Sequence, residues 1–81
     1  MKYVVYVIVN QDNMMYIGQT NNLADRLVRH NSGRNKSTKN RGPYTLIYSE
    51  EFESRAEAMQ KEKVLKMGQG RQWLKDNFLK K

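Results

Sequence analysis

Apolar positions in this chain first crowd together, then alternate, then fall into helical spacing. Tyr3 to Val9 is an unbroken run of seven apolar residues rich in valine and tyrosine, the composition of a strand. Asn10-Gln11-Asp12-Asn13 follows as a turn, because Asn and Asp side chains bond their own backbone and tolerate left-handed conformations. Met14 to Gln19 is the returning strand and closes a hairpin. Register then decides what the hairpin can do. Tyr6 and Tyr16 lie directly opposite one another if the loop holds an odd number of residues centred on Gln11; a two-residue turn sends the rings to opposite faces. The odd loop, or a compensating bulge, is the expectation.

Asn22 is an N-cap for a helix from about Leu23 to Asn31, with Leu23 and Leu27 as its buried stripe. Arg26 and His30 are four apart on that helix and share one face. Ser32 to Pro43 carries Gly33, Gly42 and Pro43 among basic and polar residues and reads as a loop. Tyr44 to Phe52 alternates Tyr44, Leu46, Tyr48 against Thr45, Ile47, Ser49 as a third strand. Ser54-Arg55-Ala56-Glu57 has the capping-box pattern and opens a helix running to about Met67. Gly68 and Gly70 end it, and Arg71 to Leu79 forms a short last helix that docks through Trp73, Leu74 and Phe78. Met14, Met15, Met59 and Trp73 are expected in the core, with Tyr3, Tyr44 and Tyr48 as structural or surface aromatics. The sum is one α+β domain over residues 1–81: a small three-stranded antiparallel sheet flanked by helices, in the order β-β-α-β-α-α.

Glu62 breaks the pattern. The apolar stripe of the second long helix runs through Ala58, Met59 and Leu65, and Glu62 falls inside it. Buried carboxylates are usually paired or bound to metal. Lys63 and Lys66 are near enough in sequence to neutralise it at the surface, but its place in the stripe argues against that.

Composition narrows the setting. With 81 residues and 38% hydrophobic, the chain can bury one small core. The absence of cysteine excludes disulfides and thiolate metal sites. A seven-residue apolar run falls far short of the ~20 that span a bilayer and lacks the flanks of a signal peptide. The expectation is a cytoplasmic protein with no membrane partner. The net charge is +7, and its distribution says more than its size. Six basic residues and no acidic one lie from Arg26 to Arg41, while acids gather at Glu50, Glu51, Glu53 and Glu57. Such a block beside paired aromatics is the footprint expected for a polyanion, usually nucleic acid.

The ordered set Tyr16-Ile17-Gly18, Arg26, His30 and Glu62 resembles the GIY-YIG nuclease superfamily, especially its short, stand-alone bacterial members. The resemblance covers nearly the whole chain. The first motif is degenerate, with Val4-Val5-Tyr6 in place of Gly-Ile-Tyr, and the second is intact. Gln19 stands where several relatives carry a lysine. The resemblance implies endonucleolytic hydrolysis of DNA with one divalent ion, normally Mg²⁺ and also Mn²⁺, in repair, recombination or processing. Glu62 would anchor the metal, and Arg26 would hold the phosphate oxygens. Tyr16 is the first choice for the group that receives the proton of the attacking water. Tyr6 would position that water or share the role, and His30 would orient a tyrosine or relay its proton. Asn77 stands in for the substrate-contacting asparagine that family members often carry late in the domain.

Lys36, Lys39 and Arg41 in the basic loop would meet phosphates, which position a strand without reading its sequence. Choice would then fall to strandedness or shape, with single-stranded, duplex and branched DNA all open. Two alternatives stand beside the nuclease: a non-catalytic nucleic-acid-binding module, and a nuclease subunit silent until a protein partner selects its substrate.

Overall fold

A computed structural model describes residues 2–31 and 43–79. Strand β1 (Tyr3–Val9) lies at the centre of a three-stranded sheet, with β2 (Met15–Thr20) on one side and β3 (Thr45–Phe52) on the other, both antiparallel to it. Central position explains why β1 is apolar throughout: both of its faces are covered, and Val5 to Val9 are all buried. Helices α1 (Leu23–Asn31), α2 (Arg55–Lys66) and α3 (Gly68–Leu74) complete the α+β architecture, and a π-helical turn, Lys75–Leu79, follows α3. Among the described residues no helix is long and apolar enough to cross a membrane.

The hairpin loop is odd, as expected, but its centre is Asp12 rather than Gln11. The Asn10 side chain decides this. Its amide oxygen accepts from the Asp12 N–H at 2.9 Å and the Met14 N–H at 3.0 Å, which closes the loop between Asn10 and Met14. Asn13 takes the left-handed conformation (φ 61°) that such a loop requires. Tyr6 therefore stands opposite Gly18, and Tyr16 opposite Ile8. Because an odd loop preserves parity, both tyrosines still share a face.

The strand β3 departs from simple alternation. Val7 pairs with Tyr48 and Ile8 with Leu46, so Ile47 is the extra residue of a bulge. Ile47 and Tyr48 consequently pack against the same cluster instead of facing opposite ways.

Two cores result, one on each face of the sheet. Val5, Val7 and Ile17 pack with Ala58 and Leu65 of α2 and Leu74 of α3. Tyr6, Ile8 and Tyr44 form the other, with Tyr16 and with Leu23 and Leu27 of α1. Of the residues expected inside, Met14, Met59 and Trp73 are instead exposed, at 47%, 54% and 45%. Met15 alone of the four packs on a core. Trp73 makes edge-on contacts with Tyr48 and Phe78, which leaves much of its ring in solvent.

Both helix starts form as the sequence dictates. Asn22 Oδ1 accepts from the Asp25 N–H at 3.1 Å, and Ser54 Oγ accepts from the Glu57 N–H at 3.2 Å while donating to the Glu57 carboxylate. The glycines after α2 act differently from expectation. Gly68 opens α3 rather than only ending α2. A Cβ on Gly70 would come within 2.7 Å of Leu65 Cα, so Gly70 lets α3 pack its backbone directly on α2.

Candidate active site

The second tyrosine motif is built around a missing side chain. Directly opposite Tyr6, Gly18 leaves the space that the Tyr6 ring fills: a Cβ there would lie 2.7 Å from the Tyr6 hydroxyl and 3.1 Å from Tyr16 Cε1. Tyr6 is thus drawn flat across β2 and is fully buried. Tyr16, two residues before Gly18 on the edge strand, sits beside it with ring centroids 6.3 Å apart and keeps partial access to solvent.

Helix α1 supplies the polar partners. His30 is fully buried, its Nε2 is 2.8 Å from the Tyr6 hydroxyl, and its ring lies 4.7 Å from that of Tyr16. Burial removes the imidazolium's hydration, and the positive Arg26 one turn away adds to the effect, so His30 is held below its usual 6.5 and is neutral at pH 7. The Tyr6 hydroxyl is pushed up from 10.0 to about 12, first by burial and then by the neighbouring Tyr16, against the charge and hydrogen bond of Arg26. The same hydroxyl also feels the negative charge of Glu62, which links α2 to this cluster.

Arg26 is half-buried and points its guanidinium at Tyr6. Among the described residues no carboxylate lies within ion-pairing distance of it, because Asp25 bonds to Arg29 instead, at 3.2 Å on the exposed side of α1. An arginine turned inward toward the Tyr6 phenol, with no acidic ion-pair partner among the described residues, is a ready anion site.

Glu62 lies between the buried Ala58 and Leu65, and its side chain is 19% exposed. Contrary to the sequence expectation, Lys66 does neutralise it, at 2.7 Å. The i,i+4 spacing sets the ammonium one turn above the carboxylate, and the long lysine stem reaches it from the surface. Gln19, Met59 and Lys63 line the same recess, so Gln19 stands next to the acidic residue.

The remaining expectations divide. Asn77 lies in the π-helical turn on the other face of the sheet, where its amide donates to the Trp73 carbonyl at 2.8 Å, away from the tyrosine cluster. Lys36, Lys39 and Arg41 lie outside the described residues. Two contributors were missed by sequence reasoning. Gly18 is one in its role rather than its identity: the motif contains it, but a pairing centred on Gln11 sets Tyr16, not Gly18, opposite Tyr6. Asn31 is the other: its amide accepts from the Tyr44 N–H at 2.7 Å and donates to the Tyr44 carbonyl, tying the end of α1 to the start of β3 beside His30.

Comparison with known proteins gives the family. The family model described as the GIY-YIG catalytic domain matches residues 2–75. A UPF0213 protein of Staphylococcus haemolyticus is 41% identical over 75 residues, covering 91% of this chain and 92% of its own length. One from Limosilactobacillus reuteri is 41% identical over 81 residues, covering 96% of this chain and 82% of its own. Among solved structures, the solution NMR structure of a protein from E. faecalis superposes with a TM-score of 0.63 at 34% identity, covering all of this chain and 91% of that one. That of a UPF0213 protein from Bacillus halodurans gives 0.57 at 32% identity, covering 91% and 82%. The chain belongs to the GIY-YIG family, a family of nuclease domains, among its short UPF0213 members.

Proposed function

We propose that this domain is a metal-dependent endonuclease that hydrolyses DNA phosphodiesters, selecting substrate by strandedness or shape, in repair, recombination or processing. The observation that carries the reading is the convergence of Tyr6, Tyr16, Arg26 and His30 on one face, within the field of Glu62. Each residue has a task its environment suits.

Arg26, turned inward and, among the described residues, without an acidic ion-pair partner, holds the non-bridging oxygens of the scissile phosphate and matches the charge that builds on them. Tyr16 reaches solvent and is placed to take the proton of the attacking water. Tyr6 is a poor base, because its proton is held up to about 12. Bonded to His30, it fixes the position of Tyr16 and of the water. Neutral His30 keeps the Tyr6 hydroxyl oriented and adds no charge that would compete with Arg26 for the phosphate.

The donor set fits one kind of metal. Among the described residues no three acidic, His or Cys groups cluster, so Glu62 offers a lone carboxylate. A lone hard oxygen ligand suits Mg²⁺ or Mn²⁺, which keep most of their waters, and does not suit a caged ion. Glu62 would hold that ion, which when bound supplies Lewis-acid polarisation of the phosphate and stabilises the leaving oxygen. Lys66 has to release the carboxylate for this to happen.

Cleavage of labelled single-stranded, duplex and branched DNA in Mg²⁺ or Mn²⁺, wild type against Glu62→Ala, tests the proposal. Cleavage lost in the variant, with DNA binding kept, is the expected result; equal cleavage by both removes Glu62 as the metal anchor. A second reading is favoured by the Lys66 ammonium on Glu62 and the degenerate Val4-Val5-Tyr6: a module that binds DNA without cutting it, or that cuts only when a protein partner is bound. Tight binding by folded wild type with no turnover selects that reading.

A further inference from the structure

We propose that the cleft between the β1–β2 hairpin and the α2–α3 corner is a track for the DNA backbone, leading away from Tyr16 past Lys66 to Arg71 and Lys75. The proposal rests on DNA being the ligand of the candidate site and assigns it a surface that neither the basic loop nor the tyrosine cluster provides.

The cleft has a volume of about 540 Å³, and Tyr16, Lys66, Arg71 and Lys75 all line it. It shares two residues with the candidate site. Tyr16 belongs to the phenol pair, and Lys66 lines both this cleft and the Glu62 recess. A strand whose phosphate sits at Tyr16 and Arg26 therefore has an open path along the α2–α3 corner.

The charge on this path is unbalanced. Among the described residues three cations line the cleft and no carboxylate does. Lys66 is held by Glu62, but among the described residues neither Arg71 nor Lys75 has an acidic partner within ion-pairing distance. Arg71 and Lys75 are also one helical turn apart, a spacing at which like charges repel. The fold accepts this repulsion on a backbone that it fixes firmly: Gly70, next to Arg71, packs against Leu65 too closely for any side chain. Cations staged along a corner, rather than converging on a point, match successive phosphates of a polymer better than one small anion. On the opposite wall, Asn13 and the exposed Met14 at the hairpin tip supply a polar and an apolar surface for sugars and bases.

The test is fluorescence anisotropy of labelled duplex and branched DNA over a range of salt, with EDTA present so that nothing is cut. Arg71→Gln with Lys75→Gln is compared with wild type and with Lys2→Gln plus Arg55→Gln, an equal charge change outside the cleft. The cleft variant is expected to bind at least about tenfold more weakly, with a log–log salt slope shallower by about 1.8 for two lost phosphate contacts on duplex. Arg71→Lys with Lys75→Arg should restore the slope, and melting curves check that each variant is folded. A cleft variant that matches the control pair overturns the proposal, as does wild type that binds no DNA at low salt. The two readings fail separately. Normal cleavage with an unchanged slope keeps the nuclease and removes the track, whereas a shifted slope in a protein that never cuts keeps the track and removes the nuclease.

Discussion

The two faces of the sheet are covered by different chemistry. On the α2–α3 face the buried side chains are aliphatic: Val5, Val7, Ile17, Ala58, Leu65 and Leu74. On the α1 face the buried centre is Tyr6, Ile8, Tyr44 and His30, and three of these four carry polar atoms that must be satisfied where water cannot reach. Among the described residues no buried side-chain polar atom lacks a partner, so the α1 face has met that demand, through the Tyr6–His30 bond above all. A face that only had to be stable could have been filled as its counterpart is, with less risk. The difference teaches that a single strand, β1, serves two duties: its odd residues supply hydrophobic burial, and on its even face Tyr6 joins the site beside the buried Ile8.

Substitutions on the two faces should separate those duties. Of these, Arg26→Ala should give the largest change in rate, about 10²- to 10³-fold less cleavage, with a melting temperature near that of wild type, because Arg26 is half-buried and, among the described residues, makes no ion pair. A large loss of stability with little change in rate would put Arg26 on the structural side. Leu74→Ala should do the reverse. Leu74 is fully buried, and its truncation should cost about 2–5 kcal/mol in denaturant unfolding while the folded fraction keeps its activity.

Acid should press on the α1 face, whereas alkali reaches both, because burial and Glu50 also push the Tyr48 hydroxyl on the α2–α3 face up to about 12. His30 has a folded pKa below its unfolded 6.5, so the unfolded state takes up a proton first as pH falls. Stability from this group is complete above that value and declines below it. Tyr6 behaves oppositely: with a folded pKa of about 12 against 10.0 unfolded, its contribution is complete below pH 10 and declines as pH rises toward 12. Melting temperatures across pH should therefore fall on both sides, and His30→Gln should flatten the acid limb. An unchanged acid limb in that variant would remove His30 as its cause.

The smallest effect concerns the bridge between the faces. Lys66→Ala frees the Glu62 carboxylate from its i,i+4 partner, a pair worth only about 0.3–0.5 kcal/mol on a helix surface. Metal affinity, read as the shift of melting temperature with added Mn²⁺, should rise a few-fold. A fall would show that Lys66 positions Glu62 rather than competing with the ion.

Local chemistry is legible in the amino-acid sequence by itself. Asn22 and Ser54 cap their helices because a short side-chain oxygen can reach an N–H two or three residues on, wherever the chain goes next. Asn10 and Asn13 shape the hairpin loop for a similarly local reason. Arg26 and His30 share a face because helical spacing leaves no alternative. These interactions join residues close in sequence, so their geometry follows from the backbone alone.

Tertiary structure decides the rest. Gly18 stands opposite Tyr6, but only the assembled sheet and α1 bring the Tyr6 ring into the space Gly18 leaves and onto His30. The β3 bulge, which turns Ile47 and Tyr48 to one side, follows from packing against α2 and α3 rather than from alternation. Gly70 has the look of a helix breaker and is the place where two helices touch. Glu62 stands among apolar neighbours, as its spacing requires, but only the fold brings it toward Tyr6 while Lys66 holds it. Contacts between residues far apart in sequence depend on how every element packs at once, and a pattern with a period of two or of 3.6 carries no information about that.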